Sequence, residues 1–167
     1  RSIALQFGRI LLGGIFTSYN NQLRDNVVRL FDKAPVAYDF NADGKPDYVL
    51  FNAVTHQTAI WYLNNNAFVR GVFGPTLPPN WKVVGVADFD GDGKPDYLLF
   101  NSSTRQTAIW YLSGATFVTG KFGPTIVSGY TLIGAADFNA DGKPDYVLFN
   151  AVTHQTAIWY LNNNAFV

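Results

Sequence analysis

The chain has 167 residues, no formal net charge and no cysteine. That length allows one ordinary domain with a real core, and the neutral balance excludes a nucleic-acid binder that relies on a basic face. The missing cysteines remove disulfides, CxxC redox chemistry and thiolate metal sites together; no run of about 18 apolar residues is present to span a membrane as a helix. Residues 1–31 come first and differ in pattern from the rest of the chain. Within them Ile10 to Phe16 and Asn26 to Phe31 read as strands, joined by the turn-rich Ser18-Tyr19-Asn20-Asn21.

From residue 32 onward the chain repeats itself with a period of 49, set by Asp39, Asp88 and Asp137. The segment Asp39 to Val69 recurs without change as Asp137 to Val167. The middle copy differs at scattered positions, such as Leu98 for Val49, Ser102-Ser103 for Ala53-Val54 and Arg105 for His56. In that copy an apolar run (Trp81 to Val86) leads into an Asp-rich loop. A short strand (Tyr97 to Phe100), a polar turn and a second strand (Thr107 to Leu112) follow. A last strand runs through Phe117 and Val118 to Phe122, and Gly123-Pro124 ends the unit.

The strand Ala108-Ile109-Trp110-Tyr111-Leu112 is apolar on both faces, which predicts a sheet covered on both sides. Four strands in about 40 to 50 residues match the blade of a β-propeller. The predicted fold is therefore all-β, built of propeller-type blades of about 49 residues with a metal loop in each. The expected layout is a partial blade of another type over 1–31, then repeats over 32–80, 81–129 and 130–167. The chain opens at Arg1 without a signal-peptide pattern, and the third repeat stops at Val167, where the first continues with Arg70-Gly71-Val72-Phe73. These features predict an incomplete propeller, a segment of a longer array or a protomer completed by neighbours. The alternative is a small closed ring of four units with residues 1–31 as the fourth.

All twelve acidic residues are Asp, and ten of them lie in three short windows. The middle loop places carboxylates at positions one, three, five and nine: Asp88, Asp90, Asp92 and Asp96. The outer loops replace position three by a neutral amide: Asp39, Asn41, Asp43, Asp47 and Asp137, Asn139, Asp141, Asp145. Alternate positions of a tight loop can turn oxygens to one centre, and a hard cation such as calcium takes six to eight oxygens at about 2.3 to 2.6 Å. Gly93 at position six permits a left-handed turn. Lys45, Lys94 and Lys143 at position seven would offer a backbone carbonyl, with the ammonium turned away from the ion. All-oxygen ligation disfavours zinc and copper, and magnesium prefers a more hydrated octahedron. The loops are not EF-hands, because position twelve of the middle loop is Leu99 and the flanks are strands. With calcium bound, the middle loop would carry about −2 and each outer loop about −1, so the middle site is expected to differ in affinity.

Other candidates point to packing. Trp61, Trp110 and Trp159 sit at equal places inside apolar strands and read as core. Trp81 and its counterpart Tyr130 are better placed to stack on a sugar ring, with Gln57, Gln106 and Gln155 as recurring amides. His56 and His154 share a repeat position with Arg105 and read as solvated loop residues. Thr58, Thr107 and Thr156 read as strand starts. No nucleophile elbow, zinc helix motif, phosphate loop or separate pair of glycosidase carboxylates is present, so the chain is not expected to be an enzyme.

The Phe at loop position two (Phe40, Phe89, Phe138), the Gly-Lys-Pro-Asp before an apolar strand, and the Phe-Gly-Pro before the next unit resemble FG-GAP/VCBS repeats over residues 32–167. Residues Ala4-Leu5-Gln6, Arg9 to Gly14, Phe16 to Asn20 and Val28-Arg29-Leu30 partly resemble the delta-60 repeat, with Phe7-Gly8-Arg9 at its usual Asp-Gly-Lys turn. The first resemblance implies calcium at the loop positions named above, three ions in all, in a secreted or cell-surface protein of bacterial type. It implies a structural or adhesive module, or a lectin-like propeller that binds glycan or a surface protein. Open strand edges would also allow self-association into a filament or ring.

Overall fold

The computed structural model describes residues 38–162 and 164–167 and, before them, the backbone of five strands. These are β1 (Ser2–Gln6), β2 (Arg9–Gly13), β3 (Ser18–Tyr19), β4 (Gln22–Leu23) and β5 (Val27–Leu30). The chain divides into two units, Arg1–Pro35 and Val36–Val167. In the first, β2 pairs antiparallel with β1 and β5, with Leu12 opposite both Ile3 and Val28. Ser18 and Tyr19, expected in a turn, instead pair with Leu23 and Gln22, which supplies their backbone groups with ladder partners. Of the residues that carry the delta-60 likeness, Phe7, Gly8, Gly14, Phe16, Thr17 and Asn20 lie outside the described residues, as do Asp25 and Asp32.

The second unit holds three successive antiparallel sheets. Blade 1 is β6 (Tyr48–Phe51), β7 (Gln57–Asn64) and β8 (Ala67–Thr76). Blade 2 has four strands: β9 (Trp81–Ala87), β10 (Asp96–Asn101), β11 (Gln106–Ser113) and β12 (Thr116–Thr125). Blade 3 is β13 (Thr131–Ala136), β14 (Asp145–Asn150) and β15 (Gln155–Trp159), followed by the hairpin β16 (Leu161–Asn162) and β17 (Ala165–Phe166). Among the described residues the sheets do not close a ring, so the fold is all-β and of the incomplete-propeller or array-segment kind. Strands β8 and β12 run through their Gly-Pro pairs to Thr76 and Thr125, where the sequence suggested a break. Both lie at a sheet edge, where a proline without an N–H costs no ladder bond.

The core lies between blades. Alternation along each strand sends one set of side chains to the preceding blade and the other to the next. Between blades 1 and 2, Phe40, Ile60, Tyr62 and Leu77 pack on Val86, Tyr97, Leu99, Ala108 and Leu112. Between blades 2 and 3, Phe89, Leu98, Phe100, Ile109, Tyr111 and Ile126 pack on Leu132, Tyr146, Leu148 and Leu161. Strand β11 thus buries Ala108 and Leu112 on one side and Ile109 and Tyr111 on the other, as its two-faced apolar run predicts. The interface between blades 2 and 3 is keyed by a tyrosine. The Tyr146 hydroxyl reaches Thr107 Oγ1 of the preceding blade at 3.4 Å. A Cβ on Gly123 would lie 2.5 Å from Thr107 Oγ1 and 2.8 Å from the Tyr146 hydroxyl, so this glycine keeps the notch open. Burial there pushes the Tyr146 phenol up to about 12.

Candidate metal centre

Each Asp-rich loop leads into the second strand of a full blade and is shaped by its own side chains. In the middle loop Asp88 accepts N–H bonds from Gly91 at 2.7 Å, Asp92 at 3.1 Å and Gly93 at 2.8 Å. Asp90 Oδ1 accepts from Asp92 N, and Asp92 Oδ1 accepts from Lys94 N. The outer loops repeat the pattern: Asp39 accepts from Asp43 and Gly44, and Asp137 from Asp141 and Gly142. Asn41 and Asn139 accept from Asp43 N and Asp141 N. Gly44, Gly93 and Gly142 have φ of 85°, 85° and 84°, which makes the position-six glycine a conformational need. Position four is also left-handed, at Gly91 in the middle loop but at Ala42 and Ala140 (φ 59° and 60°) in the outer loops.

The acid at position nine is different in kind. Asp47, Asp96 and Asp145 are buried. Asp96 Oδ2 accepts the Phe89 N–H at 2.9 Å, closing the loop, while Oδ1 accepts the Leu112 N–H at 2.9 Å from the end of β11. Asp47 does the same with Phe40 and Leu63, and Asp145 with Phe138 and Leu161. This acid ties each loop to a strand sixteen residues on. The sequence marks it as a loop residue but carries no sign of the long-range bond, because the partner is a backbone N–H.

Asp88, Asp90 and Asp96 each bring a carboxylate oxygen within 4.8 Å of the others. Burial raises the Asp96 carboxyl to about 7, with the Leu112 and Phe89 N–H bonds lowering it and Asp90 and Asp88 raising it again. Burial is likewise the main cause that raises Asp88. An all-oxygen cluster that is partly buried and mutually repelling fits a hard divalent cation. Asp92 stands outside the trio and pairs with Lys94 Nζ at 3.0 Å. The Lys94 ammonium therefore rests on a carboxylate of its own loop. In the outer loops Lys45 and Lys143 do reach outward, to Asn64 and Asn162. The middle repeat has Ser113 at that place, too short to receive the ammonium, and Lys94 folds back on Asp92 instead.

The profile of the FG-GAP-like repeat matches residues 39–99 and again 88–148. The chain belongs to the FG-GAP-like repeat family. Each match runs from one loop to the strand after the next loop, so the family's unit keeps the phase of the Asp windows. No curated protein matches the chain. FG-GAP-like repeats are typically structural or adhesive. Among the described residues no helix is long and apolar enough to cross a membrane.

The remaining candidates are dispersed. Trp110 and Trp159 are half-buried against the interblade cores, but Trp61 is exposed over Phe68 at 5.0 Å between ring centres. Trp81 is half-buried on the blade 1–2 core, with its ring 6.1 Å from Phe122. The Tyr130 hydroxyl lies 3.4 Å from Gln155 Oε1. Thr58 and Thr107 are buried and donate to the Pro75 and Pro124 carbonyls. His56, Arg105 and His154 all hold φ near 60°, and Arg105 further donates to the carbonyls of Ile126, Val127 and Tyr130 in the linker to blade 3.

Proposed function

We propose that this chain is a calcium-stabilised, extracellular structural or adhesive module, secreted or displayed on a bacterial surface, and not an enzyme. The observation that carries the reading is the approach of Asp88, Asp90 and Asp96 within 4.8 Å around a loop whose last acid is buried. Asp92 and the Lys94 carbonyl complete the middle donor set. Asp39, Asn41, Asp43, Asp47 and the Lys45 carbonyl form the second, and Asp137, Asn139, Asp141, Asp145 and the Lys143 carbonyl the third. Calcium, when bound, supplies positive charge that offsets the repulsion among these acids. The chain's own residues shape the loop and tie it to the blade through Asp47, Asp96 and Asp145. Family membership supports the extracellular setting, where free calcium is abundant.

The test is a pair of measurements on the whole chain. Thermal melting in EDTA and in calcium should differ, because an ion that binds only the folded state adds about 2.7 kcal/mol per site at a hundredfold excess over Kd. Calorimetric titration should resolve a middle site unlike its neighbours. Equal melting in both buffers would remove the calcium reading.

A lectin-like role has one observation in its favour. A shallow cavity of about 300 Å³ on blade 1 is lined by Asn52, Thr55 and Gln57 beside the exposed ring of Phe73, a combination of amides and an aromatic face that suits a sugar. A glycan array without hits counts against it.

A further inference from the structure

The three loops share one frame and differ in where the lysine at position seven goes. In the outer loops the position-five acid engages neutral donors with both oxygens. Asp43 Oδ1 accepts the Lys45 backbone N–H at 2.9 Å, and Oδ2 accepts the Asn41 side-chain amide at 3.2 Å. Asp141 does the same with Lys143 and Asn139. The ammonium groups leave the loop: Lys45 Nζ donates to Asn64 Oδ1 at 2.8 Å, and Lys143 Nζ to Asn162 Oδ1.

Two substitutions change this in the middle loop. Asp90 replaces Asn41 and Asn139, and Ser113 replaces Asn64 and Asn162. Asp90 Oδ1 still accepts the Asp92 N–H at 3.1 Å, but a carboxylate has no N–H to return to Asp92 Oδ2. Ser113 has no side-chain carbonyl to receive the ammonium. Both changes act in one direction. The first removes the neutral donor to Asp92 and adds a negative charge; the second removes the outward partner of the lysine. Lys94 Nζ accordingly donates to Asp92 Oδ2 at 3.0 Å, while its backbone N–H donates to Oδ1 at 2.8 Å. Both oxygens of Asp92 are held by Lys94, and Asp92 stands apart from the cluster of Asp88, Asp90 and Asp96.

We infer that Lys94 is a built-in counter-ion of the middle loop, which weakens calcium binding there by holding Asp92 out of the donor set, and that residue 113 decides whether the ammonium does so. The inference rests on the calcium reading above and adds to it the residues that set the affinity of one site. In an outer loop an ion displaces only a neutral amide from the position-five acid. In the middle loop it displaces an ammonium, which offsets the fourth carboxylate. The pair is partly exposed, so solvent limits the effect to about two- to fivefold in affinity.

A calcium titration of the whole chain, followed by the backbone amide resonances of the position-six glycines, tests it. Gly44, Gly93 and Gly142 each donate to the first acid of their own loop and so report the three sites separately. Ser113 is exposed, and Ser113→Asn gives Lys94 the partner that Lys45 and Lys143 use without altering any charge. Lys94→Gln removes the ammonium and keeps the backbone carbonyl. Each variant should lower the calcium concentration that half-saturates Gly93 by about two- to fivefold and leave Gly44 and Gly142 where they are. A Gly93 midpoint unmoved in both variants overturns the inference and leaves the calcium reading standing. Movement in Lys94→Gln alone overturns it too, because the lysine would then act through net charge and not through its seat on Asp92. Wild-type resonances that ignore calcium would remove the calcium reading and this inference together.

Discussion

Asp47, Asp96 and Asp145 each engage both carboxylate oxygens with backbone N–H groups, one in the loop and one sixteen residues on. Asp96 does this beside two more acids, and burial above all holds its carboxyl at about 7 against an ordinary 3.8. In the metal-free chain the folded state then keeps a proton that the unfolded state has released. The contribution of Asp96 to stability is fully present below about 3.8, falls as pH rises, and is lost above about 7. Melting temperature in EDTA should therefore decline between those limits. Calcium, by compensating the carboxylate charge, should flatten the decline. A metal-free profile that climbs towards neutral pH would show that Asp96 titrates as an ordinary acid.

Within the loop, position four separates the middle copy from the outer two. Gly91 takes its left-handed φ of 79° freely, with no atom within 4 Å of where a Cβ would sit. Ala42 and Ala140 hold φ near 60° with a Cβ, a conformation that costs an L-residue about 1 kcal/mol. Ala42→Gly and Ala140→Gly should each stabilise the chain by about 0.5 to 1 kcal/mol, and Gly91→Ala should cost a similar amount, by thermal or urea unfolding. In the repeats the strands, their order and the loops that precede them were legible in the sequence, because period, turn residues and apolar runs all agree there. The long-range bond of Asp96 to Leu112 was not, since nothing in the sequence marks which backbone N–H a buried acid will find. The fold of Lys94 onto Asp92 also escaped, because it depends on Ser113, nineteen residues away.

At the scale of the whole second unit, stability resides between blades. Blade 2 is covered on both faces by its neighbours, so the three blades behave as a stack in which contacts pass only to the adjacent member. Ile60 and Ile158 occupy the same place in the same sequence, one sealed by blade 2 and one open. Ile60→Ala should cost about 2 to 5 kcal/mol, while Ile158→Ala should remain within about 0.5 kcal/mol under dilute, monomeric conditions. Equal costs at the two sites would mean that the blade 3 face is covered in solution. The segments around these two isoleucines are identical, so local sequence does not separate them.

The duplicated segment also bears on how the chain finds its fold. During refolding, residues 137–167 offer the inner face of blade 2 the same surface as residues 39–69, so two docking orders compete for one partner. Chain connectivity, not side-chain chemistry, must decide between them. Misassembly of this type is a known kinetic hazard of repeat proteins, and here it is encoded most strongly in the very residues that give the native stack its strength.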